Sequence, residues 1–217
     1  MDIRTFACKT VAKAFMKGHV LKILVLLTCL TATPMLADCP TGADLATGIR
    51  VTETDGTTHV YTGLNNGIAQ VDITYTDGAQ SRNLLAQGTH VLRLAEVENG
   101  AIVVSSISAT TYPLPATDLP IPTAGSVWTV DTTVLSLDET YAETQSQRWG
   151  DTFELTIGSC IYDAISGALV YSTELSSFTE GVYFIEDLGI GLLYVYDHME
   201  ADGPAEVFSY INIEAVK

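Results

Sequence analysis

Between residues 55 and 100 the chain repeats a short polar pair ending in glycine: Asp55-Gly56, Asn66-Gly67, Asp77-Gly78, Gln87-Gly88 and Asn99-Gly100. From glycine to glycine the steps are 11, 11, 10 and 12 residues, the length of a strand plus a tight turn. Asp-Gly and Asn-Gly supply the positive φ that hairpin turns require. Between turns the polarity alternates, with Val71, Ile73 and Tyr75 on one side and Asp72, Thr74 and Thr76 on the other, the pattern of strands with one buried and one wet face. Long stretches of helical period are absent. The expectation is an all-β chain of antiparallel meanders.

The rhythm breaks at Tyr112 to Gly125, which holds Pro113, Pro115, Pro120 and Pro122, four of the seven prolines. A sheet interior does not tolerate so many missing amide donors. The segment reads as a connector (112–125) between two β subdomains, 38–111 and 126–217, or as a proline-protected edge of one continuous sheet. Strand patterning resumes at Ser126 to Leu137 and returns at Tyr141 to Trp149 after a turn near Asp138-Glu139. It continues through Phe153, Leu155 and Ile157, Cys160 to Ile165, a Ser166-Gly167 turn, Ala168 to Leu175, Tyr183 with Ile185, Leu192 to His198, and Val207 to Ile213. Leu192, Tyr194, Tyr196 and His198 are expected on one face. Thr-Asp-Gly occurs at 54–56 and again at 76–78, which either internal duplication or shared turn chemistry produces. Turn spacing does not choose among a curled sheet, a barrel-like closure and a sandwich.

At the start of the chain, Lys13, Lys17, His19 and Lys22 precede the apolar run Ile23 to Leu30, the order of a secretory signal. Pro34 breaks a helix and Ala37 offers the small residue that signal peptidase needs, so cleavage is expected after residue 37. Met16 opens a complete signal by itself and is an alternative start. Only fifteen residues separate Ile23 from Ala37, whereas a membrane helix takes about twenty, so no stable membrane anchor is expected after cleavage. Neither Cys29, after Thr28, nor Cys39, after Asp38, suits lipidation. The predicted location is the bacterial periplasm or the exterior.

Removal of the leader leaves five basic residues against twenty-five acidic ones, a net charge of −20 in place of −16. Such a surface repels nucleic acid and anionic membranes. Two cysteines remain, Cys39 and Cys160, in a compartment where disulfides persist. An intramolecular Cys39–Cys160 bridge is expected, the alternatives being pairing with other chains or two free thiols.

Gly158-Ser159-Cys160-Ile161-Tyr162, followed by Asp187-Leu188-Gly189-Ile190-Gly191-Leu192, resembles a pattern in uncharacterised exported bacterial β-proteins, in which a Gly-x-Cys-x-Tyr strand precedes a Tyr-rich strand and an Asp-x-Gly turn. The resemblance covers about sixty residues. It implies the compartment and an antiparallel sheet, and it brings no catalytic residue.

No motif of nucleophilic catalysis is present. His59, His90 and His198 are the histidines beyond the leader, none in a Gly-x-Ser-x-Gly setting, although triads assemble in space rather than in sequence. Glu186-Asp187 and Asp138-Glu139 are adjacent pairs, whose members point to opposite faces of a strand, and both fall at expected turns. Zinc spacings are absent, and the densest ligand run is Asp197, His198, Glu200 and Asp202 before Gly203, either a calcium-type loop or a polar turn. Tyr183, Tyr194, Tyr196 and Tyr210 fall on the last strands, where rings line ligand pockets or build an ordinary core. The first functional expectation is therefore a non-catalytic envelope protein with a binding or structural role, needing no cofactor. The alternatives are a carrier of amphiphilic molecules and a hydrolase with dispersed residues. Its partners would be an envelope protein or a small amphiphilic ligand.

Overall fold

The computed structural model describes residues 39–63, 66–137, 139–198 and 203–217; the predicted leader lies outside them. At Asn66-Gly67, Gln87-Gly88 and Asn99-Gly100 both residues take positive φ, from 49° to 79°, the primed turn geometry that matches strand twist. At Asp55-Gly56 and Asp77-Gly78 only the glycine does. There the aspartate carboxylate accepts the amide N–H two residues on, from Thr57 at 2.8 Å and Ala79 at 2.9 Å. The repeated Thr-Asp-Gly is one turn design used twice.

These turns separate β1 (Ile49–Glu53), β2 (Thr58–Gly63), β3 (Ile68–Thr74), β4 (Gln80–Ala86) and β5 (His90–Glu98). A short β6 (Ala101–Ile102) folds back on β5. The meander continues as β7 (Ser108–Thr111), β8 (Val127–Ser136), β9 (Glu139–Ile157), β10 (Cys160–Ser172), β11 (Ser177–Ile185) and β12 (Ile190–His198). It ends with β13 (Glu206–Val207) and β14 (Tyr210–Ala215). Every described ladder is antiparallel, in the order β13-β12-β11-β10-β9-β8-β7-β5-β4-β3-β2-β1-β14. The sheet also crosses the Pro-rich segment: β7 pairs with β8 from Ser108↔Ser136 to Thr111↔Thr133, so the chain before and after that segment shares one sheet.

β13 pairs with β12 and β14 with β1, at opposite limits of the sheet, yet only Phe208 and Ser209 separate them in the chain. The two limits are thereby drawn together, and the twisted sheet rolls on itself without closing into a barrel. Because successive strands are antiparallel, turns alternate between two ends of the roll. Turns after β2, β4, β7, β9 and β11 lie at one end, which we term the closed end. Turns after β1, β3, β5, β8, β10 and β12 lie at the other, the open end.

The Pro-rich segment packs across part of the closed end, beside a pocket of about 400 Å³ that Leu45, Ile121, Pro122 and Leu188 help to line. Leu119 is buried against Ala86 and Tyr112, Gln87 Nε2 donates to the carbonyls of Ala116 and Thr117 at 3.2 Å, and His90 Nε2 lies 2.8 Å from the Pro120 carbonyl. A 3-10 turn at Gly42–Ala46 lies beside it, and just ahead of that turn Cys39 is bonded to Cys160, with Cα atoms 5.6 Å apart. Tyr162 completes the attachment through its hydroxyl, which donates to the Pro40 carbonyl at 3.1 Å. Beneath lies an apolar cluster that includes Ile49, Val51, Ile157, Ile185, Leu188, Ile190, Leu192 and Ile213. The alternate residues Val182 and Phe184 pack instead with Trp149, Ile165, Leu169 and Tyr171. The β11–β12 hairpin is therefore buried on both faces.

Two local expectations are corrected. Ser166-Gly167 is not a turn: β10 runs through it, with a register shift between Ile165 and Gly167 against β9. A Cβ at Gly167 would overlap the Trp149 ring, so the glycine makes room for a side chain at a bulge. Leu192, Tyr194, Tyr196 and His198 do not share a face, because a shift at Gly181/Val182 splits β12. Tyr194 stacks on Tyr183 at 4.0 Å, while Tyr196 is paired with Glu180 and His198 with Phe178.

Candidate functional site

The first half of β9 reads Tyr141, Glu143, Gln145, Gln147, Trp149 on one face and Thr140, Ala142, Thr144, Ser146, Arg148 on the other. Neither face is an apolar strand face. The structure turns Glu143, Gln145, Gln147 and Trp149 inward, all 2–7% exposed, so a polar row occupies core positions. Burying such groups is tolerable only when they are hydrogen-bonded, and two chains of bonds meet this need.

In the first chain Tyr112 Oη donates to Gln145 Oε1 at 2.9 Å, and Gln145 Nε2 donates to Glu143 Oε1 at 2.9 Å. In the second, Trp149 Nε1 donates to Gln147 Oε1 at 3.3 Å, and Gln147 Nε2 donates to His90 Nδ1 at 3.2 Å. His90 Nε2 then donates to the Pro120 carbonyl. This order assigns His90 the neutral tautomer with its proton on Nε2, in keeping with burial, which lowers its pKa against the pull of that carbonyl. Across the sheet Tyr171, paired with Gln145, donates its hydroxyl to Glu180 Oε2 at 3.0 Å.

Two carboxyl groups thus lie in this interior. Burial raises the Glu143 pKa, partly offset by the Gln145 bond. Glu180 is pushed up to about 6 by burial, with the Tyr171 hydroxyl pulling down and the Glu143 charge pushing up. No basic side chain pairs with either among the described residues. Arg50 is held by Glu214 and Arg82 by Asp72, and Arg148 and Lys217 are exposed. Arg93 is half-buried, and its Nε has no hydrogen-bond partner among the described residues. Glu53 provides the contrast: it is buried too, but His59 Nε2 lies 2.5 Å from its carboxylate.

At the open end the polar row emerges into a cleft of about 520 Å³, lined by Glu139, Tyr141, Glu143, Glu174, Leu175 and Phe178 among others. Phe178 stacks on Tyr171 at 4.6 Å and forms the aromatic wall. Deeper, a cavity of about 160 Å³ separates the two halves of the roll. Its lining includes His59, Tyr61, Asn83, Thr89, Glu180 and Tyr210.

The four tyrosines singled out by sequence fall in three places. Tyr183 and Tyr194 stack on each other. Tyr196 joins Phe178 and His198, with its hydroxyl 3.0 Å from His198 Nε2. Tyr210 lines the deep cavity and donates to the Leu193 carbonyl at 2.6 Å. Of the acidic run, Asp197 and His198 are neighbours in β12 and point to opposite faces; Glu200 and Asp202 lie outside the described residues. Among the described residues no group of three or more His, Cys, Asp or Glu is placed to hold a metal ion. Sequence reasoning missed Glu143, Gln145, Gln147 and Glu180. The available signal was a strand polar on both faces, because one face of a strand in a rolled sheet has to be interior.

No family model and no curated protein matches the chain. A solved structure, the hypothetical lipoprotein YmcC from Escherichia coli (K12), is similar to it at 12% identity, covering 77% of this chain and 84% of that one, with a TM-score of 0.41. At that distance no residue role passes from one to the other.

Proposed function

We propose that this chain is an exported, non-catalytic binding protein of the bacterial envelope whose ligand occupies the open-end cleft. The observation that carries the reading is what lines the cleft: within about 520 Å³, one of several hollows in the roughly 300–1,000 Å³ range of small-ligand sites, it brings the buried carboxyl of Glu143 beside the Phe178 ring. Export is supported by the Cys39–Cys160 bond, a kind of cross-link that persists in oxidising compartments, together with the leader pattern. The non-catalytic reading is supported by the partners of the histidines, none of them a serine, threonine or cysteine: His59 meets Glu53, His90 lies between Gln147 and Pro120, and His198 meets Tyr196. The deep cavity, at about 160 Å³, is too small to house an acyl chain, which weighs against a lipid carrier that uses it.

Native mass spectrometry of the protein isolated from its own envelope tests this reading. The expected spectrum shows an adduct of small-molecule mass that disappears in a Phe178→Ala variant. A bare mass for the unaltered protein, or an adduct retained equally by the variant, would contradict the cleft as the site.

A further inference from the structure

Glu143 is 7% exposed yet lines the cleft. One carboxylate oxygen accepts from Gln145; the other has no protein donor among the described residues. A buried carboxylate without a counter-ion is strongly disfavoured, and of the five basic residues beyond the leader none forms an ion pair with Glu143 among the described residues. Tyr141 and Phe178, aromatic rings of the kind that attract cations, line the same cleft, as do Glu139 and Glu174. An anionic ligand would meet repulsion from three carboxylates. A divalent ion would find no ligand cluster among the described residues. A neutral ligand would leave Glu143 either ionised without a counter-charge or protonated.

We propose that the cleft takes an organic cation, an ammonium group carried on a small apolar body, with the ammonium on Glu143 and the body against Phe178 and Tyr141. This rests on the cleft being the binding site. The chain's surplus of acidic groups works in the same direction, raising the local concentration of cations before they reach the cleft.

The test uses three probes of similar size on the disulfide-bonded protein from residue 38 onward: phenethylamine, its neutral analogue 2-phenylethanol, and the anion phenylacetate. Binding is followed by NMR shifts of the Phe178 ring and by calorimetry, for the unaltered chain and for Glu143→Gln. The glutamine keeps the shape and can still accept from Gln145, and a thermal melt verifies folding. Expected are phenethylamine binding at least tenfold tighter than phenylethanol, no phenylacetate binding, and a tenfold or greater loss for phenethylamine in Glu143→Gln. Glu174→Gln, on the rim, should lose two- to threefold. Equal binding of amine and alcohol, unchanged in Glu143→Gln, would overturn the cation assignment and leave the cleft as a site. Failure of all three probes to shift Phe178 would overturn both.

Discussion

At the closed end Ile157, Leu188, Ile190 and Leu192 are 0–1% exposed and touch other aliphatic groups, beneath a proline-rich segment and a disulfide. At the open end of the same strands the interior positions belong to Glu143, Gln145, Tyr171 and Glu180, and Glu143 reaches a cleft of about 520 Å³. Strand β9 contributes to both: Phe153, Leu155 and Ile157 face the apolar cluster, and Glu143, Gln145 and Gln147 the polar one. The register shift opposite Ile165/Gly167 divides the two halves. The contrast teaches where each property resides. Apolar burial stabilises in proportion to area, roughly 25 cal/mol per Å², so one end can hold the sheet together while the other keeps charge in its interior.

The largest effect should come from the bridge. Replacing Cys39 and Cys160 by serine opens a loop spanning a sequence separation of 121, and loop entropy predicts a loss on the order of 5 kcal/mol. Urea denaturation of the serine variant would show it, and a shift in midpoint no larger than that of a surface substitution would break the comparison. Next is Ile190→Ala, which removes a fully buried side chain and should cost about 2–5 kcal/mol.

A third prediction concerns the open end and has the opposite sign. Glu180 has its pKa raised to about 6, above its ordinary value of 4.5. Below that ordinary value both folded and unfolded chains hold the proton. As pH rises the unfolded chain ionises first, so this group's contribution to stability falls until pH passes its folded pKa, by about 2 kcal/mol in all. Glu180→Gln should therefore gain stability relative to the unaltered protein between about pH 4.5 and 6, read as diverging melting temperatures. A constant difference across that range would remove the charged interior from the account. The smallest effect is expected at Leu175, 90% exposed on the cleft rim: Leu175→Ser should change stability by less than about 0.5 kcal/mol.

Much of the closed end was legible in the sequence. Asp-Gly and Asn-Gly pairs announced turns because their φ requirement is local, and two cysteines left one intramolecular pairing. The proline run was recognisable as a break in the ladder, but not as a segment packed onto the sheet, because Leu119 gains its burial partly from Ala86, which is distant in sequence. Bulges were illegible for a similar reason. Ser166-Gly167 carries turn residues, and only the Trp149 ring beside it shows that the glycine serves packing. The polar interior was hidden because a strand such as Glu143 to Trp149, polar on both sides, resembles a solvated edge until the roll of the sheet makes one side internal.

The division between the two ends is tested most directly by native-state amide hydrogen exchange, which reports local opening free energies residue by residue. In strand β9 and its neighbours, amides at 153–157, 160–164 and 190–192 should exchange only through global unfolding. Those at 141–145 and 171–178 should exchange at least tenfold faster through local opening. Uniform protection along β9, with Gln145 as slow as Leu155, would contradict the account.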